Sequence, residues 1–372
     1  MKILYDHQIF IDQTYGGPSK YFVKIIEKIL QYQNVKICAP IHINNFLKNL
    51  PRENIFGHKL NNFYYEKIPF RLRNTIVKNF INKINISYLN KLSKSFEPNL
   101  LHKTNFDTYK TNLPVIITVY DLIHEKFYNM YKKNEQFRPK QKAIERADEI
   151  ICISKNTLND LNYYYDLKNK KTTVIYLGTD FAEKKTTSYN SFDKIEKNFI
   201  LYVGKRINYK NFVNFIKAYS ISDKLKRDFK VYCFGGGNFT KSEIKMFNDL
   251  NIEEGKIKYF VGDDETLENL YRNAKVLVYP SKYEGFGLPV LEAMALGCPV
   301  ICSKTASIPE VGGDAVAYFD PEDIEDINEV ICQIIYSENK ISKLREDAFN
   351  RSQLFSWSKC ASETLEVYKK VI

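Results

Sequence analysis

The stretch with the clearest potential for chemistry is residues 281–303, SKYEGFGLPVLEAMALGCPVICS. Glu284 and Glu292 flank a Gly-Phe-Gly turn, and Pro289 fits the first position of a helix because that position needs no amide hydrogen. The glycines leave the backbone amides at the helix N-terminus uncovered, where their partial positive charge attracts a phosphate. Carboxylates are poor neighbours for a phosphate but accept hydrogen bonds from sugar hydroxyls, so the stretch indicates a site for a sugar phosphate.

Two further stretches follow predicted strands in the same half of the chain. GKRINYKN at 204–211 supplies the cations Arg206 and Lys210, and GGGN at 235–238 allows close approach to the backbone. Taken singly, each cation is typical of surface charge, and each glutamate is typical of a solvated loop or a first helical turn. Their occurrence together at successive strand ends favours a diphosphate held between a ribose and a hexose.

Short apolar runs alternate with helix-like segments along the chain, which is the pattern of βαβ units around a parallel sheet. The predicted strands are 2–5, 35–39, 99–102, 114–119, 149–153 and 173–177 in the first half, then 199–203, 230–234, 256–261, 275–279, 298–302 and 315–319. Predicted helices of the second half include 263–273, 289–297 and 323–336. We therefore expect an α/β protein with two doubly wound, Rossmann-like domains facing across a cleft, with ligands at the carboxyl ends of the strands.

The domain boundaries follow from the same pattern, and 372 residues suit two domains. We expect an N-terminal Rossmann-like domain over 1–180 and a C-terminal Rossmann-like domain over 199–354. The segment 181–198, FAEKKTTSYNSFDKIEKN, is rich in Lys, Thr and Ser and is predicted to be a linker. The segment 355–372 is predicted to be an amphipathic helix that packs back on the N-terminal domain.

The net charge of +11 is unevenly distributed. Residues 1–194 contain 31 Lys and Arg against 18 Asp and Glu, whereas the remainder contains 24 against 26. The first half is therefore expected to meet an anionic partner or surface. The seven cysteines form no C-x-x-C and read as free thiols of a reducing compartment, and no His or Cys pattern predicts a transition-metal site.

Residues 281–313 resemble the E-x7-E signature region of retaining glycosyltransferases of family 4, which have the GT-B fold. The resemblance extends to YVGKRINYKN, YFVGDDETLENLYRNAKVLVYPS and GDAVAYFDP, and in the first half to GGPSKYF, LLHKTNF, ITVYDLIHEKF and RADEIICISKNTLNDL. It spans nearly the whole chain, and its C-terminal motif is the most specific part. It implies sugar transfer from a nucleotide-sugar to an acceptor, with retention at the anomeric carbon. It also implies that the N-terminal domain over 1–180 is the acceptor-side domain and that the C-terminal domain over 199–354 binds the nucleotide-sugar.

The resemblance also implies roles for single residues. Glu284 is expected to hold hydroxyls of the donor sugar, Glu292 the ribose, and Arg206 and Lys210 the leaving diphosphate. Gly16 and Gly17 are expected to close over the donor from the opposite domain, and Val261 and Gly262 to lie on the nucleobase side. The expected donor-binding set is Gly16, Gly17, Gly204, Arg206, Lys210, Gly235, Val261, Glu284, Gly285, Phe286, Gly287, Leu288 and Glu292.

The sequence departs from the family pattern at Tyr120, where many relatives have a histidine before the aspartate that corresponds to Asp121. His124 or His102 is expected to substitute, although each is equally typical of a hydrogen-bonded structural histidine. The expected catalytic residues are accordingly Glu284, Arg206, Lys210, Asp121 and His124. His102 and Tyr120 are candidates on the acceptor side.

Breaking the anomeric bond develops an oxocarbenium-like sugar and a diphosphate anion. Many transferases neutralise that anion with a divalent metal bound by Asp-x-Asp, a signature that this sequence lacks. We expect no metal and no other cofactor, because Arg206, Lys210 and the helix N-terminus at 287–289 supply the positive charge. No residue is evidently placed as a covalent nucleophile, which favours front-face displacement by the acceptor hydroxyl.

The segment 59–94 carries eight Lys and Arg and one Glu, interleaved with aromatic residues. Ile76, Phe80, Ile84 and Tyr88 recur at every fourth position, as in a basic amphipathic helix that lies on an anionic membrane. The alternative is that this stripe packs on the N-terminal sheet and that the lysines are merely solvated.

Together these features predict a retaining, metal-independent glycosyltransferase. The expected donor is GDP-mannose or another nucleotide diphosphate sugar that supplies mannose or a rhamnose-like hexose. The expected acceptor is an oligosaccharide or lipid-linked saccharide of bacterial surface polysaccharide, O-antigen or capsule, with the enzyme in the cytoplasm or peripheral on the inner face of the plasma membrane. The alternatives are a nucleotide-sugar epimerase of the same fold and a basic nucleic-acid-binding protein, although no nucleic-acid-binding motif accompanies the charge.

Overall fold

A computed structural model describes residues 1–61, 65, 67–69, 72–106, 109–131, 137–182 and 198–372. The chain divides into two compact units. The first comprises Met1–Leu177 with Trp357–Ile372, and the second comprises Gly178–Ser356. Most of the predicted linker at 181–198 lies outside the described residues.

The first unit is built on a seven-stranded parallel sheet. Its strands are β1 (Lys2–Tyr5), β2 (Asn34–His42), β3 (Ile55–Lys59), β4 (Leu100–Lys103), β5 (Val115–Val119), β6 (Glu149–Cys152) and β7 (Lys171–Val174). The helices of this unit that precede the second unit in the chain are α1 (Gln8–Asp12), α2 (Gly17–Ile29), α3 (Lys78–Phe96), α4 (Ile123–Lys126), α5 (Tyr128–Tyr131), α6 (Phe137–Arg146) and α7 (Lys155–Tyr164). A π-helical turn, Arg73–Val77, leads into α3. The strand order is β3-β2-β1-β4-β5-β6-β7.

The second unit is built on a six-stranded parallel sheet. Its strands are β8 (Phe199–Val203), β9 (Lys230–Phe234), β10 (Ile257–Phe260), β11 (Val276–Tyr279), β12 (Val300–Ser303) and β13 (Ala317–Phe319). Its helices are α8 (Phe212–Ser220), α9 (Asp223–Asp228), α10 (Lys241–Asp249), α11 (Asp264–Asn273), α12 (Leu288–Ala295), α13 (Ile308–Gly312), α14 (Ile324–Ile335) and α15 (Glu338–Ser352). The strand order is β10-β9-β8-β11-β12-β13. The α/β class with two Rossmann-like sheets is thereby confirmed.

The inner strands of each sheet are buried on both faces, which explains why they read as continuous apolar runs, whereas the edge strands β3, β7, β10 and β13 are partly exposed. Every residue of β8 and β11 is buried. In the second unit, Ile200, Phe215, Val231 and Ile301 are fully buried in one cluster. Burying a side chain of this size contributes about 1.5–3 kcal/mol, so this cluster holds the helices on the sheet.

The chain ends with helix α16 (Trp357–Val371), which belongs to the first unit and packs on α2. Its Tyr368 hydroxyl forms hydrogen bonds with the Tyr5 hydroxyl (2.7 Å) and with His102 Nδ1 (2.6 Å). The other ring nitrogen of His102 bonds the Thr118 hydroxyl at 3.0 Å. His102 is fully buried, and burial lowers its pKa from 6.5 to about 3. A neutral imidazole therefore joins the last helix to β4 and β5.

None of the helices within the described ranges combines the length and the apolar character needed to cross a membrane.

The buried His102 makes the stability of the first unit depend on pH. Between pH 6.5 and about 3 the unfolded chain binds a proton on this residue that the folded chain does not bind. The free energy of unfolding therefore falls as the pH is lowered through this window. From pH 7 to pH 5 we expect the wild type to lose about 2 kcal/mol more than His102→Gln does, measured by urea unfolding.

Other histidines with lowered pKa values, such as His42 and His124, are present in both the wild type and the variant, so their contributions cancel in this comparison. An equal pH dependence in the two proteins would contradict the burial of a neutral imidazole at this position.

Candidate functional site

The strand order of the second sheet reverses between β8 and β11, which creates a crevice at their carboxyl ends where ligands bind in open α/β sheets. The loop after β8 carries Lys210, and the loop after β11 carries Glu284. The two loops are joined by a backbone hydrogen bond from the Lys282 amide to the Tyr209 carbonyl, 2.8 Å long. The sheet topology thus brings together residues that lie about seventy positions apart in sequence.

Lys210 and Glu284 form an ion pair across this crevice, with Nζ 2.6 Å from Oε1. The Lys210 ammonium also donates to the Tyr279 hydroxyl at 3.3 Å, at the last residue of β11. Burial, and then the neighbouring Glu284 carboxylate, raise the pKa of Tyr279 well above its ordinary value, so the phenol stays protonated. The pair is largely buried, with 17% of the lysine side chain and 11% of the glutamate side chain exposed. An ammonium held this way has a fixed position before any ligand arrives.

The loop from 284 to 287 is fixed by a hydrogen bond and leads into α12, whose N-terminus has no side-chain cap. The Ser307 hydroxyl donates to the Glu284 carbonyl at 2.8 Å. Gly287 precedes α12 in a left-handed conformation with φ of +102°, and no side chain bonds the first amides of the helix. The helix begins at Leu288, so Pro289 is its second residue, one position after the first helical position that the sequence predicts. Pro289 has no amide hydrogen, and the Val290 and Leu291 amides bond the Gly287 carbonyl, so the amides that can receive an anion at this N-terminus are those of Gly287 and Leu288.

Glu292 lies one turn into α12 and is buried. The hydroxyl of Tyr271, at the end of α11, donates to Glu292 Oε2 at 3.3 Å. Burial raises the pKa of Tyr271 well above its ordinary value, and the Glu292 carboxylate raises it further, which keeps the phenol as a donor. Tyr271 thus fixes the orientation of the second glutamate of the E-x7-E pair.

Arg206 has a different environment from the one expected of a phosphate-binding residue. Its Nε bonds Glu243 Oε1 at 2.6 Å, and its other nitrogens donate to the carbonyls of Gly235, Gly237 and Asn238 at 2.9–3.0 Å. Only 4% of its side chain is exposed. Although burial raises the pKa of Glu243, hydrogen bonds from Arg206 and Thr240 outweigh burial and lower it. The guanidinium is therefore neutralised by a carboxylate and enclosed by backbone carbonyls.

The glycine run after β9 is what makes this enclosure possible. Gly235, Gly236 and Gly237 all have positive φ, between +73° and +86°, a region that L-residues with a side chain rarely adopt. A Cβ on Gly236 would lie 2.7 Å from an Arg206 nitrogen. These glycines therefore surround the Arg206 guanidinium, whereas the sequence analysis expected their backbone to allow close approach and Gly235 to bind the donor.

Lys205, the neighbour of Arg206, is exposed on the same loop and was overlooked in the sequence analysis. Its backbone is fixed because its carbonyl accepts a hydrogen bond from the Tyr202 hydroxyl at 2.9 Å. The alternation of the loop turns Lys205 outward and Arg206 inward. The sequence GKR contains two adjacent cations, Lys205 and Arg206, and only the position of Glu243 in the structure shows that Arg206 is the one engaged in an ion pair.

Two predicted donor-side residues lie on the loop after β10. Val261 is 72% exposed, and a Cβ on Gly262 would clash with Thr266. The Thr266 amide and hydroxyl both donate to Asp263, which caps α11. Gly262 thus has a local packing role, and the contact of Val261 with a nucleobase stays a prediction.

In the first unit, Gly16 is the residue before α2 and has an extended backbone. A side chain there would clash with Gln13, whose amide oxygen accepts from the Ser19 amide at 3.2 Å and so caps the helix. Gly17 is the first residue of α2. The predicted closure of these glycines over a donor stays a prediction.

Tyr120, Asp121 and His124 follow β5. The Tyr120 hydroxyl is buried without a hydrogen-bond partner among the described residues, and burial raises its pKa well above the ordinary value. Asp121 accepts from the Ile123 amide at 3.2 Å, and burial raises its pKa. Burial lowers the pKa of His124, whose ring lies 4.6 Å from that of Tyr131. These three residues lie together after β5, and their roles in the reaction stay a prediction.

His102, by contrast, lies in the core of the first unit with both ring nitrogens hydrogen-bonded. The structural interpretation of this histidine therefore applies, and it does not stand in for the family histidine.

The sequence analysis also overlooked Asp6 at the end of β1. Asp6 Oδ1 accepts from the Thr104 amide at 2.9 Å and joins the ends of β1 and β4, while its Oδ2 has no partner among the described residues.

Within the described ranges, no group of three His, Cys, Asp or Glu side chains is arranged to hold a metal ion.

Comparison with known proteins places these features in a family. A family model described as glycosyl transferases group 1 matches residues 183–351, which include the loops after β8 and β11. A second model, described as Glycosyltransferase Family 4, matches residues 47–183. Together the two matches cover most of both units.

Relatives of known name agree with these matches. The chain is 23% identical over 366 residues to O-antigen chain mannosyltransferase B of Escherichia coli, covering 95% of this chain and 96% of the relative. It is 28% identical over 232 residues to O-antigen chain mannosyltransferase RfbU of Salmonella typhimurium, covering 61% and 62%. The solved structure of HepE from Anabaena in complex with UDP and glucose superposes with a TM-score of 0.72 at 15% identity over 99% of each chain, a likeness that shows the fold.

The conformation of Gly287 generates a prediction about stability. In Gly287→Ala the added Cβ would meet no atom closer than 3.9 Å, so the cost comes from the backbone alone. We expect the free energy of unfolding to fall by about 1–2 kcal/mol, measured by urea denaturation. Gly287→Asn should cost less, because asparagine adopts positive φ more readily than alanine. An alanine variant as stable as the wild type would contradict the strain assigned to this position.

Proposed function

The chain belongs to the glycosyltransferases of group 1 and family 4, with the GT-B fold, and we propose that it transfers a hexose with retention from a nucleotide diphosphate sugar to a saccharide acceptor. The observation that carries this proposal is the junction of Lys210, Glu284 and the uncapped N-terminus of α12 at the switch point of the second sheet. An ammonium and free amides suit a diphosphate, and the adjacent carboxylates suit sugar hydroxyls.

The donor would be held in three parts. The diphosphate would lie on the amides of Gly287 and Leu288 with Lys210 beside it. Glu284 would accept hydrogen bonds from the transferred sugar, and Glu292, oriented by Tyr271, would accept them from the ribose. Because Lys210 already touches Glu284, the sugar and the departing phosphate would share one fixed cation.

The reaction needs positive charge where the phosphate oxygen departs. Lys210 and the α12 dipole would stabilise the diphosphate as the anomeric bond breaks, and being preorganised they require no rearrangement in the transition state. The acceptor hydroxyl would attack from the face that the phosphate leaves, which retains the configuration. Asp121 and His124 at the end of β5 are the proposed groups on the acceptor side.

Arg206 takes an indirect role in this scheme. Its hydrogen bonds to three carbonyls hold the glycine loop after β9, and Glu243 fixes the guanidinium in turn. Direct contact of Arg206 with the diphosphate, as the family resemblance implies, would require some of these bonds to be exchanged. Lys205 on the same loop supplies an exposed cation without that cost.

The relatives support the choice of sugar. Both are named as O-antigen chain mannosyltransferases, which favours GDP-mannose as donor and a bacterial surface polysaccharide, O-antigen or capsule, as product. A growing or lipid-linked saccharide would be the acceptor, on the cytoplasmic side where nucleotide-sugars are made. No cofactor besides the donor is proposed.

A nucleotide panel followed by a transfer assay tests the proposal. Among GDP, UDP, dTDP and ADP, we expect GDP to raise the melting temperature most, because a ligand that binds only the folded chain stabilises it. The matching labelled nucleotide-sugar should then give an α-linked product with a saccharide acceptor. Conversion of the donor to its epimer without any acceptor would instead support an epimerase.

The matched variants for this assay are Lys210→Ala and Lys245→Ala, since Lys245 is an exposed lysine of α10 in the same unit. Removing a preorganised electrostatic stabiliser is expected to lower turnover by about 10²–10³-fold in the first and to leave the second unchanged. Equal turnover in the two variants would refute the role of Lys210.

Metal removal gives a separate prediction. We expect transfer to continue at an unchanged rate after exhaustive EDTA treatment, because the protein itself supplies the positive charge for the leaving diphosphate. The measurement is product formation before and after chelation, with and without added Mn²⁺ or Mg²⁺. Complete loss that either ion restores would show that a metal carries this charge.

A further inference from the structure

Helix α3 packs on the first sheet through one face only. Ile81, Asn85 and Leu89 are its buried residues. The Asn85 side-chain amide donates to the Ile41 carbonyl at 3.0 Å and accepts from the Ile41 amide at 2.9 Å, at the irregularity in the pairing of β2 with β3. This double hydrogen bond fixes the rotation of the helix about its axis, and so determines which residues face outward.

The outward face of α3, together with the residues that lead into it, carries large apolar side chains. Ile76 is 65% exposed, Phe80 63% and Tyr88 40%, and Leu72 before them is 44% exposed. The interpretation in which this stripe packs on the sheet is therefore wrong, because the residues that pack there are those next to it in sequence. Apolar side chains grouped on one exposed face are characteristic of an interaction site.

The same face carries uncompensated positive charge. Residues 78–96 include four lysines and no aspartate or glutamate. Lys78 pairs with Asp12 at 2.5 Å, whereas Lys83, Lys91 and Lys94 are exposed and meet no acidic side chain among the described residues. A helix of 3.6 residues per turn brings these three to the face of Ile76 and Phe80. Lys91 Nζ lies 5.3 Å from the centre of the Tyr88 ring, so its stem follows the apolar surface.

We propose that this α3 surface, formed by Ile76, Phe80, Lys83, Tyr88, Lys91 and Lys94, binds the surface of an anionic lipid bilayer. The apolar side chains enter the boundary between headgroups and acyl chains, and the lysines contact anionic headgroups. A nucleic acid matches the lysines but offers no apolar layer for Ile76 and Phe80. A protein partner would have to cover both exposed aromatic rings and three cations, which only an acidic, apolar surface would do. The proposal concerns the partner of this surface and holds independently of the donor and acceptor.

Vesicle co-sedimentation of the full chain tests the proposal. Vesicles of phosphatidylcholine alone are compared with vesicles that also contain phosphatidylglycerol, at low and high salt. We expect binding to the mixed vesicles that weakens as salt screens the lysines. Each lysine near an anionic surface strengthens binding about fivefold, so Lys83→Gln/Lys91→Gln/Lys94→Gln should weaken it by about 10²-fold. Ile76→Ser/Phe80→Ser should abolish the part of the binding that persists at high salt.

Both variants change exposed residues, so their folding is checked by their melting temperatures. The matched control is Ile244→Ser/Lys245→Gln, which removes an exposed apolar residue and a lysine from α10, and it should bind vesicles like the wild type. Equal binding to both kinds of vesicle, or equal binding by all variants, would overturn the proposal. Binding to duplex DNA or RNA in place of vesicles, or self-association lost in Ile76→Ser/Phe80→Ser, would also overturn it and identify another partner. Co-sedimentation measures vesicle binding without a transferase assay. A negative result would therefore contradict the membrane proposal and leave the proposed function unaffected.

Discussion

The ion pair between Lys210 and Glu284 is the interaction on which the proposed chemistry depends. It crosses the one place in the second sheet where the strand order reverses, and it joins the loops after β8 and β11. Two largely buried charges of opposite sign hold each other at a defined distance, because leaving either one unpaired would cost several kcal/mol. The cation is thereby positioned beside the carboxylate of Glu284, which precedes the uncapped N-terminus of α12 in the chain.

Arg206 shows how the same chemical type is used differently a few residues away. Its guanidinium has a planar set of donors that matches the Glu243 carboxylate and the carbonyls of a glycine loop. Arg206 consequently holds the loop in place, whereas Lys210 is paired with Glu284, the carboxylate that we propose binds the sugar. A substitution of Arg206 would act through the loop as well as through charge.

Much of the fold could be predicted from the sequence, because both sheets are parallel and buried on both faces. Apolar runs such as FILYV and KVLVY therefore marked strands to within a residue or two. Strand β3 was missed, since Ile55–Lys59 lies at the edge of its sheet, is partly exposed and contains a glycine. The edge position needs no apolar pattern, so the sequence held no periodic signal for it.

The site was predicted less completely, for reasons of side-chain partnership. The sequence pattern placed Lys210 and Glu284 after predicted strands and Pro289 at the start of a helix, because strand ends and helix starts follow from local sequence. Sequence spacing could not show that the Arg206 guanidinium is paired with Glu243, which lies on a different helix. Nor could it show that His102 is hydrogen-bonded to Tyr368, which lies more than two hundred residues later in the chain. It also could not fix the rotation of α3, which depends on hydrogen bonds between Asn85 and Ile41.

The return of α16 to the first unit has a consequence for biosynthesis. The second unit lies wholly within an interruption of the first, and the buried network of the first unit is completed by the hydroxyl of Tyr368, which α16 supplies after the second unit has been made. During translation the second unit can fold as soon as it emerges, whereas the first cannot cover α2 until α16 has also emerged. Premature termination near the C-terminus would thus leave the earlier-made half, and not the later one, without its final layer.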